Sequence, residues 1–138
     1  MKNIYIGHKK FQEEYFQAIT SIEVLNFIAE DAECNLIILD GYLRTVHASN
    51  WISVINECMK KLRMGGTLKI IDIDFDILCY VYQKENSLND LQNIFEKPIF
   101  SFLTLEGLKM LMQNFPQVAQ GGAVMRGIEF DSEFVRIS

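Results

Sequence analysis

An acid and a phenol lie directly after one predicted buried strand. The near-continuous apolar run from Asn35 to Leu39 is typical of a strand buried on both faces, and Asp40 and Tyr42 follow it. Such a pair could orient the hydroxyl or amine of an acceptor and accept its proton. In an equally consistent structural interpretation, Asp40 caps the following loop and Tyr42 packs over the sheet.

Two histidines lie in loops that we expect at the same edge of a sheet. His8 follows a short apolar run ending at Gly7, and His47 follows the strand that precedes Tyr42. An imidazole in such a loop can serve as a general base near neutral pH. A lone loop histidine is more often solvated or hydrogen-bonded, and this is the favoured interpretation. The hypothesis of a catalytic role is stronger for His47 than for His8.

Three alternating aspartates, Asp72, Asp74 and Asp76, invite a metal interpretation. A calcium loop is excluded, because its sixth position is Ile77 where glycine is required and its twelfth is Gln83 where glutamate is required. A D-x-D motif that binds a sugar nucleotide stays open, although no nucleotide-binding loop accompanies it. The favoured interpretation is that these acids cap a helix that begins near Asp76. We therefore predict no metal site.

Alternating strands and helices must position these residues. The sequence predicts a strand from Asn3 to Gly7, a helix from Phe11 to Ile19 and a second strand from Ile22 to Ile28. A helix capped by Ser49 or Asn50 then presents a wide apolar face. Gly65 and Gly66 end that helix and turn the chain into a strand from Thr67 to Ile73.

The C-terminal half continues the alternation and then changes to strands. A helix is predicted from Ile77 to Gln83, a short one from Ser87 through Phe95, and a further helix capped by Thr104. Two strands around Gly127 and Asp131 indicate an antiparallel hairpin at one edge of the sheet. The order predicts an α/β fold with a mostly parallel sheet.

Bulk composition restricts the function classes. The 138 residues suit one domain, from 1 to 138, with 49% apolar and 22% charged residues. The net charge of −5 argues against nucleic-acid binding, and no apolar run approaches the ~20 residues of a membrane span. Cys34, Cys58 and Cys79 form no C-x-x-C pair and are expected to be buried, reduced thiols. We expect a cytoplasmic protein.

The segment from Asn35 to Ile73 resembles the class I S-adenosylmethionine-dependent methyltransferases. That family has a buried strand with an acidic end, a helix, and a Leu-Arg/Lys-Pro-Gly-Gly turn into the next strand. The turn here runs from Leu62 to Gly66, with Met64 in place of the usual proline. The resemblance implies a Rossmann-like methyltransferase fold, with helices on both faces of a mostly parallel sheet, a C-terminal antiparallel hairpin and a reduced N-terminal half.

The same resemblance implies roles for individual residues. S-adenosylmethionine would be the cofactor, bound near Gly7, His8, Asp40 and Gly41. The implied activity is methyl transfer to a small molecule or to a group on a protein surface. The catalytic candidates are Asp40, Tyr42 and His47.

Two departures from the family pattern support an alternative. Lys9 stands at the second glycine position of the cofactor loop, and the acid that would bind the ribose has only Glu23 or Glu30 as substitutes. The alternative is a non-catalytic module with a degenerate methyltransferase fold. Such a module would bind a partner or complete a complex, as a homo-oligomer or with a partner subunit.

Overall fold

The computed structural model describes residues 2–11, 13–85 and 99–138. Within those ranges the chain forms six strands and four α helices. The strands are β1 (Lys2–Gly7), β2 (Phe16–Ile19), β3 (Cys34–Asp40), β4 (Leu62–Ile73), β5 (Val118–Arg126) and β6 (Glu129–Arg136). The helices are α1 (Ile22–Ile28), α2 (Trp51–Lys61), α3 (Phe75–Glu85) and α4 (Leu105–Met112), and two short 3-10 turns, Leu43–Thr45 and Ala48–Asn50, precede α2.

The strands form one sheet in the order β2-β1-β3-β4-β6-β5. The first four are parallel to one another, and β6 and β5 are antiparallel. Gly127, with a φ of 63°, lies in the turn between β5 and β6, where a left-handed residue suits a tight hairpin. The predicted mostly parallel α/β sheet and its C-terminal hairpin are confirmed.

Apolar side chains alternate between the two faces of this sheet, as the period of a strand requires. Those that point to one face form the main core with residues of α1, α2 and α4. On the other face, Ile73 packs with Phe75 and Leu78 of α3 and with Ile128. Helices therefore lie on both faces, as predicted. The main core is built around Ile4, Ile6, Ile37, Leu39, Leu68, Ile70, Phe130 and Phe134.

Two predictions for the N-terminal part are wrong. The helix predicted from Phe11 to Ile19 does not form; Phe16–Ile19 is strand β2 instead, paired in parallel with β1. The strand predicted from Ile22 to Ile28 is helix α1. Ser21 caps this helix. Leu25 is buried on the side of the helix where Ile22 and Ile28 pack against the core.

The Gly-Gly segment also differs from its prediction. Helix α2 ends at Lys61, before the glycines, and the backbone becomes extended at Leu62. Gly65 (φ 78°) and Gly66 lie inside β4, where the pairing register with β3 shifts. An added Cβ at Gly66 would lie 2.9 Å from the carbonyl oxygen of Arg63. The glycines therefore form an irregularity in a strand and do not stop the helix.

The C-terminal helices agree with the sequence where the structure describes them. Helix α3 includes the predicted segment, and Thr104 caps α4 by accepting a 2.9 Å hydrogen bond from the Gly107 N–H. The helix predicted from Ser87 through Phe95 lies outside the described residues. No helix in the described ranges has both the length and the apolar character needed to cross a membrane.

Candidate site at the carboxyl edge of the sheet

The carboxyl ends of the parallel strands meet at one edge of the sheet. Gly7, the last residue of β1, pairs with Asp40, the last residue of β3. Asp40 in turn pairs with Ile71 of β4. The antiparallel strand β6 begins at the same edge, where Glu129 pairs with Ile73. In open α/β sheets this edge is where ligands bind.

Lys9 spans this edge by contacting two carboxylates. Its Nζ lies 3.4 Å from Asp40 Oδ1 and 3.6 Å from Glu129 Oε2. Asp40 Oδ2 accepts a 2.7 Å hydrogen bond from the Tyr5 hydroxyl. The Lys9 contact with Asp40 is an ion pair without hydrogen-bond geometry. Oδ1 of Asp40 is buried, and it has no hydrogen-bond donor among the described residues. The acid at the end of β3 is already neutralised by the chain itself.

The segment after β1 folds back over the sheet. The Phe11 ring stacks on the Tyr5 ring, with centroids 4.1 Å apart and planes 4° apart, and meets Phe16 edge-on at 5.2 Å. Burial raises the pKa of the Tyr5 hydroxyl, and the hydrogen bond to Asp40 raises it further. This aromatic cluster anchors Phe11, two residues after Lys9, to the sheet.

Two glycines at the edge are required by close contacts within the chain. A Cβ at Gly7 would lie 2.8 Å from both the Asp40 carbonyl oxygen and the Tyr5 hydroxyl. Gly41 has a φ of 66° and donates a 2.7 Å hydrogen bond to the Ile71 carbonyl. The space beside Gly7 is therefore filled by neighbouring atoms, and a Cβ at Gly41 would lie 2.9 Å from Arg44 Nη2.

Tyr42 packs into the core. Its hydroxyl accepts a 3.1 Å hydrogen bond from the N–H of Ile22, the first residue of α1. Burial raises the pKa of this hydroxyl. The side chain belongs to the main hydrophobic core, and its described contacts do not include Asp40.

The two histidines do not meet the acid either. His8 is exposed in the turn after β1. His47 precedes the second 3-10 turn, where its Nδ1 accepts a 3.2 Å hydrogen bond from the Ser49 N–H and lies 2.8 Å from the Ser49 hydroxyl. Of the candidate residues, the structure brings Gly7, Asp40 and Gly41 together at the edge.

Sequence reasoning missed a buried ion pair beside this site. Arg44 Nη1 lies 3.2 Å from Asp72 Oδ1, and Asp72 also accepts hydrogen bonds from the N–H groups of Arg44 and Ile73. Burial raises the pKa of Asp72, whereas the Arg44 guanidinium opposes this shift. The capping interpretation included Asp72, but Asp72 lies within β4, inside the strand predicted from Thr67 to Ile73. Its alternation with Leu68 and Ile70 places it on the core face and could have revealed it.

The other acids of the alternating motif have structural or solvent-exposed positions. Asp74 Oδ1 accepts hydrogen bonds from the N–H groups of Asp76 and Ile77 at the start of α3. Its Oδ2 accepts one from Leu105 N–H at the start of α4. One carboxylate therefore caps two helices. Across residues 2–11, 13–85 and 99–138, no three His, Cys, Asp or Glu side chains lie close enough to hold a metal ion.

Solved structures share this fold at low sequence identity. An S-adenosylmethionine-dependent methyltransferase of Methanosarcina mazei superposes with a TM-score of 0.61 over 94% of this chain at 12% identity. The fold is that of the class I S-adenosylmethionine-dependent methyltransferases. A Pyrococcus horikoshii protein gives 0.61 over 88% at 10% identity, and an O-methyltransferase family protein of Burkholderia thailandensis gives 0.58 over 90% at 16%.

The methyltransferase-like chain matches only part of these proteins. It spans 70%, 58% and 36% of the lengths of the Methanosarcina, Pyrococcus and Burkholderia structures, respectively. No protein-family model matches the sequence, and neither does any curated protein.

The residues present do not fit S-adenosylmethionine at the expected position. A cofactor there needs backbone that it can approach closely and an acid that is free to bind it. Instead, Lys9 occupies the second glycine position, and its ammonium group contacts Asp40. The space beside Gly7 contains Tyr5 and the Asp40 carbonyl. In this conformation the methyltransferase-like edge is closed by its own first loop.

Proposed function

We propose that this chain is a non-catalytic module with a methyltransferase fold that binds a partner protein. One observation carries the proposal: the Lys9 ammonium lies between Asp40 and Glu129 at the carboxyl edge. The Lys9 ammonium therefore takes the position beside Asp40 that a cationic cofactor would otherwise occupy. The module keeps the sheet and its core, and its first loop packs onto the sheet.

The contacts that close this edge contribute a moderate free energy. A partly exposed ion pair contributes about 0.2–1 kcal/mol, and an aromatic pair such as Tyr5–Phe11 contributes about 0.5–1.5 kcal/mol beyond its buried area. Displacing both would weaken a ligand by roughly threefold to sixtyfold, since together they amount to about 0.7–2.5 kcal/mol and about 1.4 kcal/mol corresponds to a factor of ten. The loss of glycine contacts around the ligand adds to this penalty.

The second candidate is the methyltransferase activity itself, directed at a small or surface-exposed acceptor. It is favoured by the position of Asp40 at the carboxyl edge and by the exposure of the Lys9 side chain, which is 57%. If Lys9 swung away, S-adenosylmethionine would contact Gly7, His8, Asp40 and Gly41. In this candidate Asp40 is the group that would orient the acceptor, because Tyr42 is packed in the core and His47 is hydrogen-bonded to Ser49.

The edge formed by β2 supports the partner-binding proposal. In the part of the chain that the structure describes, β2 pairs with β1 alone, so its outer side is open. Tyr15 immediately before β2 and Phe27 on α1 are 81% and 88% exposed. Exposed aromatic residues beside an open strand suit a protein contact. We expect the partner to lie against this side of the sheet.

We further propose that the module works in the cytoplasm and does not bind nucleic acid. Cys34, Cys58 and Cys79 are free thiols in the structure, which suits a reducing compartment. The net charge of −5 suits a protein partner or a small acceptor better than a phosphate backbone.

Titration calorimetry with S-adenosylmethionine and with S-adenosylhomocysteine separates the two candidates. The wild-type protein is compared with Lys9→Ala and with Lys10→Ala, which removes a neighbouring exposed lysine. We expect no heat from the wild type or Lys10→Ala at ligand concentrations up to ~1 mM. Tight binding by the wild type, with a Kd below ~100 µM, would support the enzyme and contradict the non-catalytic module.

A further inference from the structure

We draw no further inference here: the strongest candidate, the open edge of strand β5, pairs on its outer side with no strand among the described residues, and nothing in the structure shows what covers it.

Discussion

The Tyr5 hydroxyl donates a 2.7 Å hydrogen bond to Asp40 Oδ2 and so joins the middle of β1 to the end of β3. The phenol therefore holds a carboxylate at the edge where this class of fold keeps its ligands. One oxygen of Asp40 accepts the hydrogen bond from Tyr5, and the other lies beside the Lys9 ammonium. Both contacts are made within the chain and stabilise the folded state.

Replacing Tyr5 with phenylalanine is expected to destabilise the protein by about 1–2 kcal/mol. The Asp40 oxygen loses its donor while it stays partly buried, and an unsatisfied charged acceptor costs more than a neutral one. Urea unfolding measures the loss. The control Tyr80→Phe removes an exposed hydroxyl on α3 and should change the free energy of unfolding by less than about 0.5 kcal/mol. Equal effects of the two variants would contradict the role of Tyr5.

Stability should fall in alkaline solution because of the same residue. The pKa of Tyr5 is raised in the folded protein, first by burial and then by Asp40. Above about pH 10, the unfolded phenol loses its proton while the folded one keeps it, so the unfolded state is favoured as pH rises. Unfolding midpoints measured from neutral to alkaline pH test this. Tyr5→Phe should show a shallower decline, and an identical decline would exclude Tyr5 as its source.

Replacing Arg44 with methionine should destabilise the protein by about 3–5 kcal/mol at neutral pH, because it leaves the carboxylate of Asp72 buried without a cation. The pKa of Asp72 is already raised by burial, so acidification that protonates it should recover part of the loss. Stability rises on acidification because Asp72 has a higher pKa in the folded state, which therefore binds the proton at a higher pH than the unfolded state does.

The double variant Arg44→Met/Asp72→Asn is the matched control for this prediction. It removes the buried charge as well as its partner, so its stability should be higher than that of Arg44→Met and should depend less on pH. Chemical unfolding of the wild type, Arg44→Met, Asp72→Asn and the double variant at neutral and mildly acidic pH gives the coupling energy. A double variant as unstable as Arg44→Met would show that the charge of Asp72 is not the cause.

Replacing Gly7 with alanine should destabilise the protein by about 1–3 kcal/mol. The added Cβ would lie 2.8 Å from the Asp40 carbonyl oxygen and from the Tyr5 hydroxyl, so backbone at the edge must move. Gly122→Ala adds the same atom where nothing lies within 4 Å, and it is the control. Thermal unfolding compares the stabilities of the two variants with that of the wild type. A Gly7→Ala protein as stable as the wild type would show that Gly7 is not tightly packed against Asp40 and Tyr5.

Replacing Phe27 with aspartate should change the free energy of unfolding by less than about 0.5 kcal/mol, because this side chain is 88% exposed. Leu25→Asp, two residues away in the same helix, buries a charge and should prevent stable folding. Circular dichroism and urea unfolding compare them. A large loss with Phe27→Asp would mean that the ring packs within the chain and does not form part of a partner surface.

The sequence predicted the regular interior of the fold well. The strand from Asn35 to Leu39 and the strand from Thr67 to Ile73 are buried apolar runs whose β-branched content permits few alternatives. The cap at Thr104 and the C-terminal hairpin carry local signals, a side-chain acceptor before a helix and a glycine in a tight turn. Such local signals are readable because they depend on neighbouring residues.

The N-terminal part was mispredicted partly because its packing is not local and partly because a local signal, the helix cap at Ser21, was overlooked. The run from Phe11 to Ile19 has apolar residues at helical spacing, but the rings of Phe11 and Phe16 pack across the connection from β1 to β2. Ile22–Ile28 has the composition of a strand, and the cap at Ser21 gives it the start of a helix. The ion pairs Lys9–Asp40 and Arg44–Asp72 join residues 28 or more positions apart, and no spacing rule predicts them.

Nuclear magnetic resonance of the isotope-labelled wild type tests the central claim most directly. The amide signals of Gly7 and Gly41 report on the carboxyl edge while S-adenosylhomocysteine is added to ~1 mM. If the chain's own Lys9 and Tyr5 close that edge, both signals stay in place and the spectrum matches that of the free protein. Saturating shifts of these two glycines with a Kd below ~100 µM would contradict the non-catalytic module and indicate a working cofactor site.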